Sequence, residues 1–247
     1  MNLQTTGLLL LSVLGIHHQG LAQARLVPST TLLANYVVTT EKQNSNWYMW
    51  QDSAKRELAT ITTTIQPGFQ GDKVLIVQKI AMKGAPGTWV DTTVALQKTM
   101  APIYHSSFNG QRNMVLAFNG QRIEGYYKNQ KDGIVTLVND QMSEPYFDSN
   151  IYPHLIRFLP LKAGYQATIP IYDFNPRQHG LLFARVTDVK ETMLTDKNGQ
   201  KIPCYAVQVT DDLSPDSQTT HYIAKKDRAV VKLELVAGSR RMSIEAQ

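Results

Sequence analysis

The stretch NGQRNMVLAFNGQR, Asn109 to Arg122, decides the fold class. Asn-Gly-Gln-Arg occurs at 109–112 and again at 119–122, with the apolar-rich segment Asn113–Phe118 between. Asn-Gly pairs supply the positive φ that tight hairpin turns need. Two such turns around one short segment describe a strand in a meander. No longer self-similarity accompanies them, so the chain is not a repeat array. Asp132-Gly133 and Asn198-Gly199 repeat the turn chemistry, and Pro67-Gly68 and Pro86-Gly87 add breaks.

The segments between these turns alternate. Val231, Leu233 and Leu235 are separated by Lys232 and Glu234, which gives one apolar and one charged strand face. Ile61, Thr63 and Ile65 alternate with Thr60, Thr62 and Thr64, residue types suited to a pleated, half-buried surface. Strands are expected from Trp47–Gln51 through Ile134–Asn139. A second series runs from Tyr165–Asp173 to Arg241–Glu245.

One stretch changes period. Phe147, Ile151, Leu155 and Phe158 are spaced by four, four and three, which lines one helical face. The spacing predicts a helix near 149–159, capped by Asp148 or Ser149, with Pro153 in its first turn. It should end by Leu159-Pro160. The predicted fold is mainly β: a strongly curved antiparallel sheet, an unclosed β-barrel, wrapped over one short amphipathic helix.

Residues 1–24 contain no Asp, Glu, Lys or Arg. They carry an apolar run from Gly7 to Ile16 and then Ala22-Gln23-Ala24, a small-x-small triplet. That is the layout of a secretory signal peptide cleaved after Ala24. No Cys follows the cleavage point, which argues against a lipid anchor. Residues 25–247 then form a single exported domain, periplasmic or secreted, because no linker-like tract interrupts them. No later apolar run approaches the ~20 residues of a membrane-spanning helix. Several of the expected strands have only five or six residues, short for a membrane β-barrel, whose strands need ~9–11.

The whole chain has 247 residues and a formal charge of +5, from 25 basic and 20 acidic residues. The excess is spread thinly, with only pairs such as Lys225-Lys226 and Arg240-Arg241. A nucleic-acid partner would call for a basic patch on one element, so none is expected. The single Cys excludes a disulfide framework and cysteine-based zinc sites. Cys204 reads as a small buried hydrophobe.

Catalytic patterns are not found. There is no Gly-x-Ser-x-Gly elbow. His105, His154, His179 and His221 lie far apart in sequence, and none has a metal-ligand partner at helical spacing. Asp211-Asp212, followed by Leu213-Ser214-Pro215, reads as a turn. The aromatics of the first half can line a ligand cavity or pack as core. Tyr126 and Tyr127 point to opposite faces of one strand, so only one can face inward.

Two segments carry a resemblance. LIRFLPLKAG, Leu155 to Gly164, resembles the helix-to-strand junction of an exported bacterial domain of unknown function. HYIAKKDR at 221–228, followed by VVKLEL at 230–235, resembles that family's late hairpin. The family is similar to the periplasmic lipoprotein-carrier (half-barrel) superfamily. The resemblance implies an unclosed barrel over helix, whose relatives hold acyl chains in an apolar cavity.

The expected function is therefore non-enzymatic binding of a lipid or other apolar ligand in the cell envelope. The candidate cavity lining is Phe147, Ile151, Leu155 and Phe158 on the helix, with Trp89, Tyr104 and Tyr126 on the sheet. The sequence offers no catalytic residue, metal ligand or cofactor. The alternative is a structural or protein-interaction module with an envelope protein as partner. A hydrolase would require convergent acids or a His–acid pair brought together by the fold.

Overall fold

A computed structural model describes residues 24–28, 38–196 and 198–247. The expected signal segment therefore lies outside the described residues, apart from Ala24. The described residues form one sheet of sixteen strands. After the short β1 (Ala24–Arg25), a first meander runs through β2 (Glu41–Gln51), β3 (Ala54–Phe69), β4 (Lys73–Met82) and β5 (Trp89–Leu96). It continues as β6 (Pro102–Phe108), β7 (Arg112–Asn119), β8 (Arg122–Asn129) and β9 (Val135–Gln141). Then come β10 (Phe147–Asp148), the helix α1 (Tyr152–Leu155) and a 3-10 turn (Ile156–Phe158). The second meander is β11 (Ala167–Asn175), β12 (Gln178–Thr195), β13 (Lys201–Asp211), β14 (Ser217–Ala224), β15 (Val230–Ala237) and β16 (Arg240–Ala246).

Within each meander neighbouring strands pair antiparallel. The two meanders join where β16 pairs β2, with Ile244 opposite Trp47. The sheet therefore ends in β9 on one side and β11 on the other, and β1 and β10 add short parallel pairs to β11. No ladder joins β9 to β11 among the described residues, so the sheet is curved but unclosed.

β2 and β3 are much longer than the sequence suggested, and β12 and β13 extend the expected Leu181–Leu194 and Ile202–Thr210 by a few residues. β3 has 16 residues, β12 has 18, and β2 and β13 have 11 each. Polar residues such as Gln43, Thr63 and Gln78 extend the strands because ladder partners on both sides satisfy their backbones. Length therefore does not argue against a membrane barrel.

The sheet overlaps itself. Successive strand residues point to opposite faces. Ala167, Ile169 and Ile171 of β11 pack into the main core with the helix. Tyr172 and Phe174, on its other face, pack with Met114, Leu116, Phe118, Ile123 and Val138 of β7–β9. The concave face of β7–β9 thus covers the outer face of β11, and the sheet rolls up as a scroll. Polar and aromatic contacts seal the overlap. The Tyr172 hydroxyl donates to Asp140 (2.8 Å), His179 Nδ1 lies 2.9 Å from the same carboxylate, and Phe118 meets Tyr172 edge-on. Gly125 marks the tight coiling. A Cβ there would lie 1.9 Å from the Val115 carbonyl oxygen, so only glycine fits this backbone approach.

Two local expectations change. Gly120 turns the β7–β8 hairpin with φ +61°, as its Asn-Gly pair implies, but Gly110 does not adopt positive φ. There the Asn109 side chain makes the turn, accepting from the Gln111 and Arg112 amides. The helix is also shorter than 149–159. Its N-cap is Ile151, without a side-chain bond, and Pro153 sits in the first turn. Asp148 and Ser149 do not cap it because tertiary partners hold them: Asp148 bonds His105, and the Ser149 hydroxyl donates to Asp173. Leu159, before Pro160, is extended (ψ 157°) and ends the helical segment.

Candidate functional site

The register places a row of polar side chains across the concave face. Gln43 lies opposite Thr63, Thr63 opposite Gln78, Gln78 opposite Asp91, and Asp91 opposite Ser107. Thr63 and Gln78 interrupt apolar faces, Ile61-Thr63-Ile65 and Ile76-Gln78-Ile80, and Asp91 follows Trp89 on its face. Buried polar groups are costly unless bonded. Gln43 Nε2 donates to the Val230 carbonyl (2.8 Å), Gln78 Nε2 to Thr63 Oγ1 (3.4 Å), and Arg112 Nε to Ser107 Oγ (3.1 Å).

Three chambers open on this face. The inner one, of about 110 Å³, lies between the helix and strands β2–β4 and β14–β16. Asn150, His154 and Arg157 enter it from the helical segment, and His221 enters from β14. Arg157 donates both terminal nitrogens to the Glu41 carboxylate at 2.8 Å each and stacks on Phe158. The outer chamber, of about 470 Å³, has Trp47, Ile80 and Trp89 on one side and Asp91, Arg112 and Tyr127 on the other. Ile61, Gln78 and Ile244 wall both chambers, so the two adjoin. A third space of about 120 Å³, lined mainly by Trp47, Leu233, Leu235, Met242 and Ile244, extends the apolar side.

Electrostatics in the inner chamber favour neutrality. Burial pushes His221 down to about 4, helped by neighbouring His154. Burial and the Arg157 charge push His154 down to about 4 against the opposing pull of Glu41. His154 is only partly buried, whereas His221 is 2% exposed, so His221 is the more fully desolvated of the two. His221 Nδ1 and Arg157 Nε are buried without hydrogen-bond partners.

A second buried pair lies at the helix entry. His105 Nδ1 is 3.0 Å from Asp148 Oδ1, with both side chains almost wholly enclosed. Burial works against a charge on His105, but the Asp148 charge and hydrogen bond, with Asp91 adding, outweigh it and raise the imidazole pKa. The pair ties β6 to β10. His105 Nε2, Asp148 Oδ2 and Asp91 Oδ1 have no hydrogen-bond partner. Among the described residues, no cluster of three or more His, Cys, Asp or Glu has the arrangement to hold a metal ion.

The residues singled out from sequence divide sharply. Phe147, Ile151, Leu155 and Phe158 are buried in the main core rather than lining a chamber. Phe147 lies on β10 rather than on the helix, and all four pack in a core drawn from both meanders, with Ile65, Val74 and Ile76 as well as Ile169, Val186 and Val207; each buried side chain contributes about 1.5–3 kcal/mol of transfer free energy. Trp89 does wall the outer chamber. Tyr126 sits on the convex face, in register with the 81%-exposed Leu137, and Tyr127 takes the inward position. Tyr104 is also convex, opposite the exposed Ala117. Cys204 is fully buried, and burial pushes its thiol up. Asp211 accepts from the Ser214 amide and the Tyr152 hydroxyl, and Asp212 pairs with Arg185. The polar row, Arg157–Glu41 and the two chamber histidines were not singled out. The signal available was a polar residue in the middle of an apolar strand face, as at Thr63 and Gln78.

The comparisons agree with this architecture. Among solved structures, the chain is similar to a beta-barrel-like protein of the domain of unknown function DUF1849 from Brucella abortus. The identity is 10%, the match covers 91% of this chain and 97% of that one, and the TM-score is 0.50. At that identity the likeness concerns the fold alone. No curated protein matches the sequence. Residues 44–245 match the family described as Protein of unknown function (DUF3108), and the chain belongs to that family.

Proposed function

We propose that the chain is a non-enzymatic binding protein of the bacterial envelope, exported by its N-terminal segment, that holds a lipid or similar amphiphile on the concave face of the scroll. The observation that carries this reading is an uncovered apolar row. Leu233, Ile244, Trp47, Ile80 and Trp89 share the concave face yet stay half-exposed around the chambers. In an ordinary core they would be fully buried. Each methylene of an acyl chain sealed there contributes about 0.8 kcal/mol. The resemblance to lipoprotein carriers supports the same reading. The His105–Asp148 pair is enclosed on both sides, which favours a structural tie over acid–base chemistry. Native mass spectrometry and lipid extraction of the exported protein test the proposal, together with uptake of a fluorescent fatty acid. A ligand-free protein that takes up no probe contradicts it.

The second reading, an interaction module of the envelope, is favoured by β9. Among the described residues this strand pairs only with β8, and it exposes Val135 (53%) and Leu137 (81%), next to Ile134 (61%). An open apolar edge of this kind suits a partner that adds a strand. Cross-linked pull-downs with Leu137→Lys test it. A partner retained by the variant counts against β9.

A further inference from the structure

Resting on the amphiphile reading, we infer that the inner chamber is a head-group subsite for an uncharged, hydroxyl-bearing group of about glycerol size, and that it discriminates against anions. Three observations point this way. The first is size: the chamber's 110 Å³ is well above the roughly 10–15 Å³ that one water needs, so it has room for a small polyol.

The second is unmet hydrogen bonding. His221 and Arg157, 2% and 7% exposed, line the chamber, and His221 Nδ1 and Arg157 Nε within them have no hydrogen-bond partner. Buried polar atoms are normally bonded, so these two are prepared for a group that arrives. The amides add acceptors. Gln43, Gln78 and Asn150 each spend one amide proton on Val230, Thr63 and Thr93, which leaves the amide oxygen, with a second N–H, as remaining capacity. A hydroxyl both donates and accepts, so it satisfies both kinds of wall. A phosphate or carboxylate only accepts and would face amide oxygens without a proton to offer.

The third is charge. The one cation lining the chamber among the described residues, Arg157, is engaged by both oxygens of Glu41. Burial keeps His154 and His221 neutral. An anionic head group would lose its hydration without gaining a free counter-charge. Past Ile61, Gln78 and Ile244 the outer chamber offers Ile80 and Trp89 to the attached chain.

The test compares three amphiphiles with twelve-carbon chains: 1-lauroylglycerol, lauric acid and dodecyl phosphate. Each is titrated into the exported protein by calorimetry, below its micelle concentration and at pH 7.5. Lauroylglycerol is expected to bind at least tenfold tighter than the two anions. His221→Phe should remove that preference by weakening lauroylglycerol alone. Gln78→Leu, at a less buried wall position, should narrow it in the same direction and serves if the first variant does not fold. Equal binding of all three, or tighter binding of an anion, overturns the subsite and leaves the amphiphile reading standing. A preference that persists in the folded variants also overturns it. Binding of none of the three overturns both.

Discussion

Glu41→Gln tests the charge balance beneath the chambers. The Arg157 side chain is 8% exposed and that of Glu41 24%. Removing one partner of a buried pair costs ~3–5 kcal/mol, because the other charge is stranded. Glu41 reaches some water, so part of the interaction is screened and about 2–4 kcal/mol is expected. For a chain of this size that lowers Tm by about 5–12 °C. Arg157→Met should cost less than Glu41→Gln, since the carboxylate left behind can hydrate through its exposed edge. The double variant should cost clearly less than the sum of the singles, with a coupling of about 2 kcal/mol. Urea titrations of the four proteins measure this cycle. A Glu41→Gln protein within 1 °C of the parent, or strictly additive singles, would refute the reasoning. Water in the chamber would then be solvating Arg157, and the pair would not set the chamber's charge.

Three further outcomes follow from the packing and the titrating groups. His221 is held near 4 in the folded chain against 6.5 for the ordinary group, so the unfolded chain binds the proton more readily between those values. Its contribution, roughly 3 kcal/mol, is complete above pH 6.5 and lost as pH falls toward 4. Urea midpoints at several pH values should show this acid limb, and His221→Phe should flatten it. His105 has the opposite sign: its folded pKa is raised, so its contribution is full below pH 6.5 and is lost as pH rises through the folded value. Asp148→Asn should remove the resulting alkaline loss of midpoint. Gly125→Ala should force β8 away from β7 and cost about 1–3 kcal/mol or more, read as a lower midpoint. An unchanged midpoint would mean that the coil at Gly125 is not tight.

The legibility of the fold depended on how local each feature was. Asn119-Gly120 and the alternation of Ile61-Thr63-Ile65 are written within a few residues, so strand and turn could be read directly. The spacing of Ile151, Leu155 and Phe158 likewise announced a helical segment, but Phe147 belongs to β10, and Tyr152, Ile156 and Arg157 are buried as well, so the segment is covered on more than one face. What depends on register was not readable. That Tyr126 and Tyr127 diverge is local, but which one faces inward is fixed by pairing with Val115 and Met114. Thr63, Gln78 and Asp91 look like ordinary polar strand positions until the ladder aligns them in one row. His105 and Asp148 meet across 43 residues. The scroll left one trace: Ile169-Pro170-Ile171-Tyr172 is apolar without alternation, as befits a strand covered on both faces. The capping expectation for Asp148 and Ser149 failed because tertiary partners outbid a local role that sequence favours.

Tryptophan quenching by an amphiphile brominated along its acyl chain tests the concave binding face most directly. Trp47 and Trp89 wall the outer chamber, whereas Trp50 stacks under Arg241 at 4.5 Å and walls none of the three chambers. A protein whose only tryptophan is Trp89 should be quenched saturably at one equivalent of ligand. A protein retaining only Trp50 should keep its emission over the same range. Equal quenching of the two, or none in either, would contradict an acyl chain held on the concave face.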